Sequence, residues 1–238
     1  NLVIKEKPVI IHSYLDGNNV IAGLVGYIFN IKTVLSFRNT IPINFVWSRS
    51  HYKSIYQFLS KKKFIFFVSN SKNNSIDYRK WIGLKNKKIK ITNNIFEFKK
   101  NKNKITKNKG DKIVCTTINR LDPEKNIFYL IETFKYLNSK KNNILLNIYG
   151  DGPLKDKVLK KIELLKLSKN VRLHNPQKNI SKILKNTDLF FLLSDYEGVP
   201  NVLLEAQSYG IPIITKKIGG ISECIQENYS GYFLKYNS

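Results

Sequence analysis

The chain has 238 residues, enough for one large or two small domains that each bury a core. Its 41 Lys and Arg against 17 Asp and Glu give a formal net charge of +24, yet only Arg38, Arg49, Arg79, Arg120 and Arg172 are arginine. Bidentate reading of bases and phosphates belongs to Arg, so the lysine surplus argues against nucleic acid as a partner. The surplus, with abundant Asn and Ile, reads as the mark of an A/T-rich coding sequence, with a weak attraction to anionic membrane surfaces as a by-product. No apolar run approaches the ~18–20 residues that cross a bilayer. Cys115 and Cys224 are too few and too scattered for a disulfide framework or a zinc site, and no signal peptide is visible, which suits a reducing cytoplasm. Asn1 at the start and the lack of any Met point to a fragment.

In chain order, "PVIIHSYL" predicts an opening strand and "NNVIAGLVGYIFNI" a helix with small residues on a packing face. "TVLSF" predicts a second strand, 48–60 a helix, "FIFFVS" a strand, "NNSIDYRKWIGL" a helix and "KIKIT" a strand. Residues 95–111 are rich in Lys and Asn and end near Gly110, the composition of a linker. The alternation resumes with strand "IVCTTI" and a helix opened by Asp122-Pro123-Glu124 and running to about 138. Strand "ILLNIYG" precedes a helix with Asp151 near its N-cap and Pro153 at its start. "NVRLH", "ISKILKN" and "DLFFLL" continue as strand, helix, strand, and a helix from Asn201 to about Tyr209 ends at Gly210. "IPIIT", "ISECIQE" and "GYFL" complete the pattern. Strands alternating with helices predict parallel sheets, hence an α/β protein of two Rossmann-like lobes. The expected division is 1–94, a linker over 95–111, and 112–238.

In open α/β sheets, ligands bind beyond the carboxyl ends of the strands. Three loops there carry chemistry: Arg120 and Lys125 after the "IVCTTI" strand, Gly150 and Gly152 in "YGDGPL", and Glu197 with Gly198 before the 201–209 helix. Two cations beside helix N-termini suit a diphosphate, because backbone N–H groups and guanidinium share its charge. The bland alternatives are solvated cations and an ordinary "GDG" turn. Glu197 and Glu205 invite glycoside hydrolysis, but eight helical residues span about 12 Å, beyond the ~5–9.5 Å of hydrolase carboxylate pairs. Two separate jobs follow: a hold on a ribose diol for Glu205 and on a sugar hydroxyl for Glu197, against a capping carboxylate and a solvent-facing helical Glu.

"INRLDPEKN", "YGDGP", "DLFFLLSDYEGVPNVLLEAQSYGIPII" and "KIGGISECIQENYSGYFL" together resemble the retaining nucleotide-sugar glycosyltransferases of the GT-B fold, glycosyltransferase family 4. The E-x7-E spacing of Glu197 and Glu205 is that family's mark. The segments 9–45 and 67–94 resemble the acceptor-side lobe of a branch that builds bacterial cell-surface polysaccharides, lipopolysaccharide among them. The resemblance implies that the second lobe takes a nucleotide sugar and the first takes the acceptor, with the N-terminal lobe incomplete and C-terminal helices absent.

By the same resemblance Arg120 and Lys125 hold the pyrophosphate, Glu205 the ribose and Glu197 the donor sugar, while Gly198, Val199 and Asn201 present backbone groups. It implies retention of configuration and no metal or other cofactor, in agreement with the lack of an Asp-x-Asp motif. The donor favoured is a UDP-hexose or UDP-N-acetylhexosamine, the acceptor a glycan or lipid-linked glycan at the inner face of the cytoplasmic membrane. Asn119 stands where the family usually has Gly, and Arg38-Asn39 where many members have His. An Arg cannot repeat the acid/base work of a neutral His, so Arg38, Asn39 and His12 are acceptor-side candidates of open role. Two other readings stand beside this one: an inactive nucleotide-sugar-binding remnant and a basic polyanion-binding or membrane-binding module.

Overall fold

The structure, a computed structural model, describes residues 2–42, 51–84, 89–95, 112–140 and 143–234. It divides into two compact units, the first combining the chain up to Ile95 with Tyr196–Val199 and Gly219–Glu223, the second formed by the rest. Apart from Ile95, the linker expected over 95–111 lies outside the described residues.

The first unit runs α1 (Leu2–Glu6), β1 (Ile10–Tyr14), α2 (Asp16–Ile28), β2 (Lys32–Phe37), α3 (Tyr52–Ser60), β3 (Ile65–Ser69), α4 (Lys72–Ile82) and β4 (Lys90–Ile91). Its four strands pair in parallel in the order β1-β2-β3-β4. The core is aromatic. The Phe37 ring stacks on Tyr78 at 3.9 Å and on Phe67 at 5.7 Å, and meets Tyr56 edge-on at 5.4 Å. Burying each such ring contributes roughly 1.5–3 kcal/mol. Beneath the two tyrosines lies a buried carboxylate: Tyr56 and Tyr78 donate their hydroxyls to Asp16 Oδ1 and Oδ2 at 2.8 and 2.7 Å. Helix α4 carries clear punctuation, with Ser71 as N-cap accepting from the Asn74 N–H and left-handed Gly83 at its C-terminus. Helix α1 was not anticipated, because five residues with no buried face leave no period to read.

The second unit runs β5 (Ile113–Ile118), α5 (Ile127–Lys140), β6 (Ile144–Tyr149), α6 (Lys155–Leu164), β7 (Val171–His174), α7 (Ile180–Leu184), β8 (Leu189–Leu192), α8 (Asn201–Ser208), β9 (Ile213–Thr215), α9 (Ile221–Cys224) and β10 (Gly231–Phe233), with part of α9 counted in the first unit. Its parallel strands lie in the order β10-β9-β8-β5-β6-β7. The chain therefore winds outward from β5 to β7, then returns to place β8 on the other side of β5. That reversal is a topological switch point, where doubly wound sheets open a crevice for ligands. One face of the sheet is sealed by Ile131, Phe134, Leu146, Ile148, Val158 and Ile162 in a single cluster.

Two local expectations need correction. The helix predicted from Asp122 is broken: Pro123–Lys125 form a 3-10 turn, Asn126 takes a left-handed φ of 55°, and α5 begins only at Ile127. Asn tolerates that conformation better than other non-glycine residues. Asp151 does not cap α6, whose N-cap is Leu154; its carboxylate accepts instead from the Gly152 N–H at 2.9 Å.

Candidate functional site

In the second unit the loops after β5 and β6 are laced together. Asn119 N–H donates to Tyr149 O at 3.1 Å, Leu121 N–H to Asp151 O at 2.9 Å, and Leu154 N–H to Leu121 O at 3.1 Å. A Cβ built on Gly150 would collide with the Asn119 carbonyl oxygen, so only glycine lets these strands approach so closely. Gly152 has the same neighbourhood, facing the Leu121 backbone. The two glycines thus serve the chain's own loop-to-loop packing. The loops bound a cleft of about 490 Å³ lined by Asn119, Arg120, Tyr149, Gly150, Gly152 and Gln177, among others.

Arg120 lies on the rim of this cleft with an exposed side chain, and its Nε donates to Asp122 Oδ2 at 2.8 Å. That hydrogen bond and the charge of Asp122 raise the guanidinium pKa further above its already high ordinary value. Asp122, expected only to open a helix, is thus the partner of Arg120. Lys125, half-buried in the 3-10 turn, does not line the cleft. Its turn is anchored to the end of β8: Asn126 Nδ2 donates to Leu193 O at 2.9 Å, and Asp195 N–H to Glu124 O at 2.8 Å. Asp195 in turn pairs with Lys216.

Glu205 projects from α8, one turn beyond exposed Asn201 at the helix start. Its Oε2 is buried and without a hydrogen-bond partner among the described residues, and burial raises its pKa. A carboxylate oxygen withdrawn from water and offered no donor is costly to the fold. Neither Glu205 nor Asn201 lines the cleft at β5 and β6.

Glu197, Gly198 and Val199 belong to the first unit. Asn94 Nδ2 donates to Val199 O at 2.9 Å, and Arg38 Nη1 donates to Asn94 Oδ1 at 2.9 Å. Gly198 is pressed against the Arg38 carbonyl, where a side chain would collide. Arg38 thus gathers around this loop while its guanidinium lies 5.1 Å from the Tyr14 ring centroid. His12 sits within β1, not at its end, hydrogen-bonded through Nε2 to Ser36 Oγ at 2.8 Å, and burial followed by the Arg38 charge lowers its pKa. Asn39 Oδ1 accepts from the Thr40 N–H at 2.9 Å, a local turn contact. The roles of Asn94 and Asp122 were missed because each depends on a partner that no local pattern names. Among the described residues no three His, Cys, Asp or Glu side chains cluster as metal ligands.

Comparison with known proteins gives these features a family. The model for glycosyl transferases group 1 matches residues 97–238. An uncharacterised glycosyltransferase of Methanocaldococcus jannaschii is 34% identical over 235 residues, covering 90% of this chain and 57% of its own length. The Escherichia coli UDP-Gal:alpha-D-GlcNAc-diphosphoundecaprenol alpha-1,3-galactosyltransferase is 34% identical over 141 residues, 57% of this chain and 36% of the relative. The crystal structure of Anabaena HepE in complex with UDP superposes with a TM-score of 0.78 at 17% identity, covering 98% of this chain and 66% of that one. The likeness supports the GT-B type of fold, two parallel α/β sheets, and the chain spans little more than half the length of its first curated relative. This chain belongs to the glycosyl transferases group 1 family.

Proposed function

We propose that the protein to which this chain belongs moves a sugar from a UDP-hexose or UDP-N-acetylhexosamine to a glycan or lipid-linked acceptor, with retention and without a metal. The observation that supports this reading is Glu205: its carboxylate on α8 keeps one oxygen without a hydrogen-bond donor among the described residues, a spare acceptor of the kind a ribose diol needs. The names of two similar proteins support the choice of donor, since one is a UDP-Gal transferase and the other was crystallised with UDP.

The chemistry assigned to each residue follows from charge. When the bond to the donor sugar breaks, negative charge grows on the departing diphosphate while positive charge develops at the anomeric carbon and ring oxygen. Fixed cations and N–H groups placed at the diphosphate lower the barrier by stabilising the charge of the leaving group. Arg120 and Lys125 take that role, with Asp122 keeping the guanidinium oriented until phosphate displaces it. Glu197 orients a donor hydroxyl, and Gly198, Val199 and Asn201 offer backbone groups to the donor. Arg38, Asn39 and His12 are assigned to the acceptor side.

Calorimetric titration of UDP, GDP and ADP tests the reading. UDP alone should bind tightly, with a loss of tenfold or more in both Glu205→Ala and Arg120→Ala. Unimpaired UDP binding in both variants would overturn the site assignment. A pH series sharpens it, because the diol-binding form of Glu205 is the ionised one. Burial raises its pKa, so UDP affinity should weaken as pH falls from above the usual carboxylate range, and Glu205→Gln should flatten that dependence.

A further inference from the structure

We infer that Glu223 is a positioning residue for the transfer reaction: its carboxylate closes the first turn of α4 and so holds the backbone that carries Glu197. The consequence for turnover rests on the glycosyltransferase reading above; the hold itself does not.

The first N–H groups of a helix have no partner within it. In α4 the Lys72 N–H donates to Glu223 Oε2 at 2.9 Å and the Asn73 N–H to Glu223 Oε1 at 2.6 Å. Ser71 Oγ donates to the same Oε1 at 2.7 Å while accepting from the Asn74 N–H. One carboxylate from some 150 residues away thus completes the capping of this turn. Both carboxylate oxygens are used as acceptors, and a side-chain amide offers only one. The helix dipole adds to the preference for a negative charge. Asn73 grips the same segment from its side chain, donating through Nδ2 to Ser222 Oγ at 2.8 Å and Gly219 O at 3.4 Å.

Residues 219–223 need such a tether. Helix α9 has four residues, too few to hold a conformation unaided. The segment then bears on the Glu197 loop: Gly219, at φ 41°, lies so close to the Glu197 carbonyl that a Cβ would collide with it, and Gly220 stands in the same relation to the Gly198 carbonyl. Asn74, in the turn that Glu223 closes, donates Nδ2 to Glu197 O at 3.4 Å. All of these residues lie in the first unit. The path from Glu223 to Glu197 is therefore a short series of backbone contacts, and loosening its first member loosens its last.

The test compares wild-type chain with Glu223→Gln and Glu223→Asp by three readouts. These are amide hydrogen exchange of peptides covering 194–200 and 217–224, the dissociation constant of UDP, and UDP release from UDP-galactose and UDP-N-acetylglucosamine. Glu223 is exposed and leaves no cavity when replaced, so both variants should fold, with melting temperatures lowered by a few degrees for the lost cap. In Glu223→Gln, exchange in both peptides should rise at least threefold, donor turnover should fall at least fivefold, and the UDP dissociation constant should stay within twofold. Glu223→Asp, with the charge on a shorter arm, should fall between. A residue that only stabilised the fold would move UDP binding and turnover together, and that parallel loss would overturn the inference. Unchanged exchange over 194–200 overturns it too, as does raised exchange with unchanged turnover. Wild-type chain that binds no UDP sinks the glycosyltransferase reading instead, and the exchange result still decides whether Glu223 holds the loop.

Discussion

Asp16 and Glu205 are two carboxylates that burial pushes in the same direction, for different ends. Asp16 is 3% exposed and receives two tyrosine hydroxyls, which favour its ionised form; desolvation outweighs them and raises its pKa. A carboxylate whose pKa is higher in the folded than in the unfolded state contributes stability that is whole below the unfolded value and is lost as pH rises through the folded one. Replacing it by Asn removes the titration and keeps a side chain able to accept one hydroxyl. Chemical denaturation at several pH values should therefore show the stability difference between wild type and Asp16→Asn shrinking, or reversing in favour of Asn, from acid toward neutral pH. A pH-independent difference would mean that Asp16 does not change its charge on burial. Glu205 lacks the hydroxyls that Asp16 has, and this is why it, and not the better buried Asp16, is the carboxylate assigned to a ligand.

At the scale of elements, the hairpin of loops after β5 and β6 has to be built before Arg120 can face anything. Gly150→Ala forces a methyl into the Asn119 carbonyl, an overpacking that costs about 1–3 kcal/mol. Thermal unfolding should fall by several degrees, with weaker UDP binding because the displaced loop carries Arg120. An unchanged melting temperature together with unchanged UDP affinity would show that the loops are not packed as described. Much of this level was legible in the residues. Apolar runs such as "IVCTTI" and "LFFLL" marked the buried parallel strands, and Gly210, now seen at φ 67°, marked the end of α8. The break at Asn126 was legible in principle, since Asn next to a Pro-containing turn is a common left-handed residue. What could not be read was pairing over distance. Glu223 and Ser71 have no shared period or motif, and their meeting depends on how α9 and α4 pack once both exist. Asp122 is legible as a helix opener and its pairing with Arg120 is not, for the opposite reason: a partner two residues away on a loop looks like any other surface acid until the side chains turn toward each other.

For the whole molecule the question is whether the +24 charge has a use beyond solvation. Between Gly17 and Ile76 the sequence has no Asp or Glu but holds Lys32, Arg38, Arg49, Lys53, Lys61, Lys62, Lys63 and Lys72. Where that stretch forms the ends of α2 and α3, Tyr27 and Phe58 pack edge-on at 4.9 Å, and Lys62 Nζ lies 4.5 and 4.7 Å from their two ring centroids. Ile28 and Phe29 beside them are exposed. An exposed apolar patch beside an aromatic pair that carries a lysine ammonium has the chemistry of a lipid interface, and the proposed lipid-linked acceptor would be met there. Each lysine near an anionic surface contributes about 1 kcal/mol, so replacing Lys61, Lys62 and Lys63 together by Ala should weaken partition onto vesicles containing phosphatidylserine by tenfold or more. Vesicles of phosphatidylcholine alone should retain little of either protein. Sedimentation with vesicles at two salt concentrations, with and without saturating UDP, separates this from general polyanion binding. Contact through this patch should be unaffected by UDP and at least tenfold weaker in the triple variant. A loss spread evenly over lysine replacements anywhere in the chain would instead assign the charge to the composition of the coding sequence.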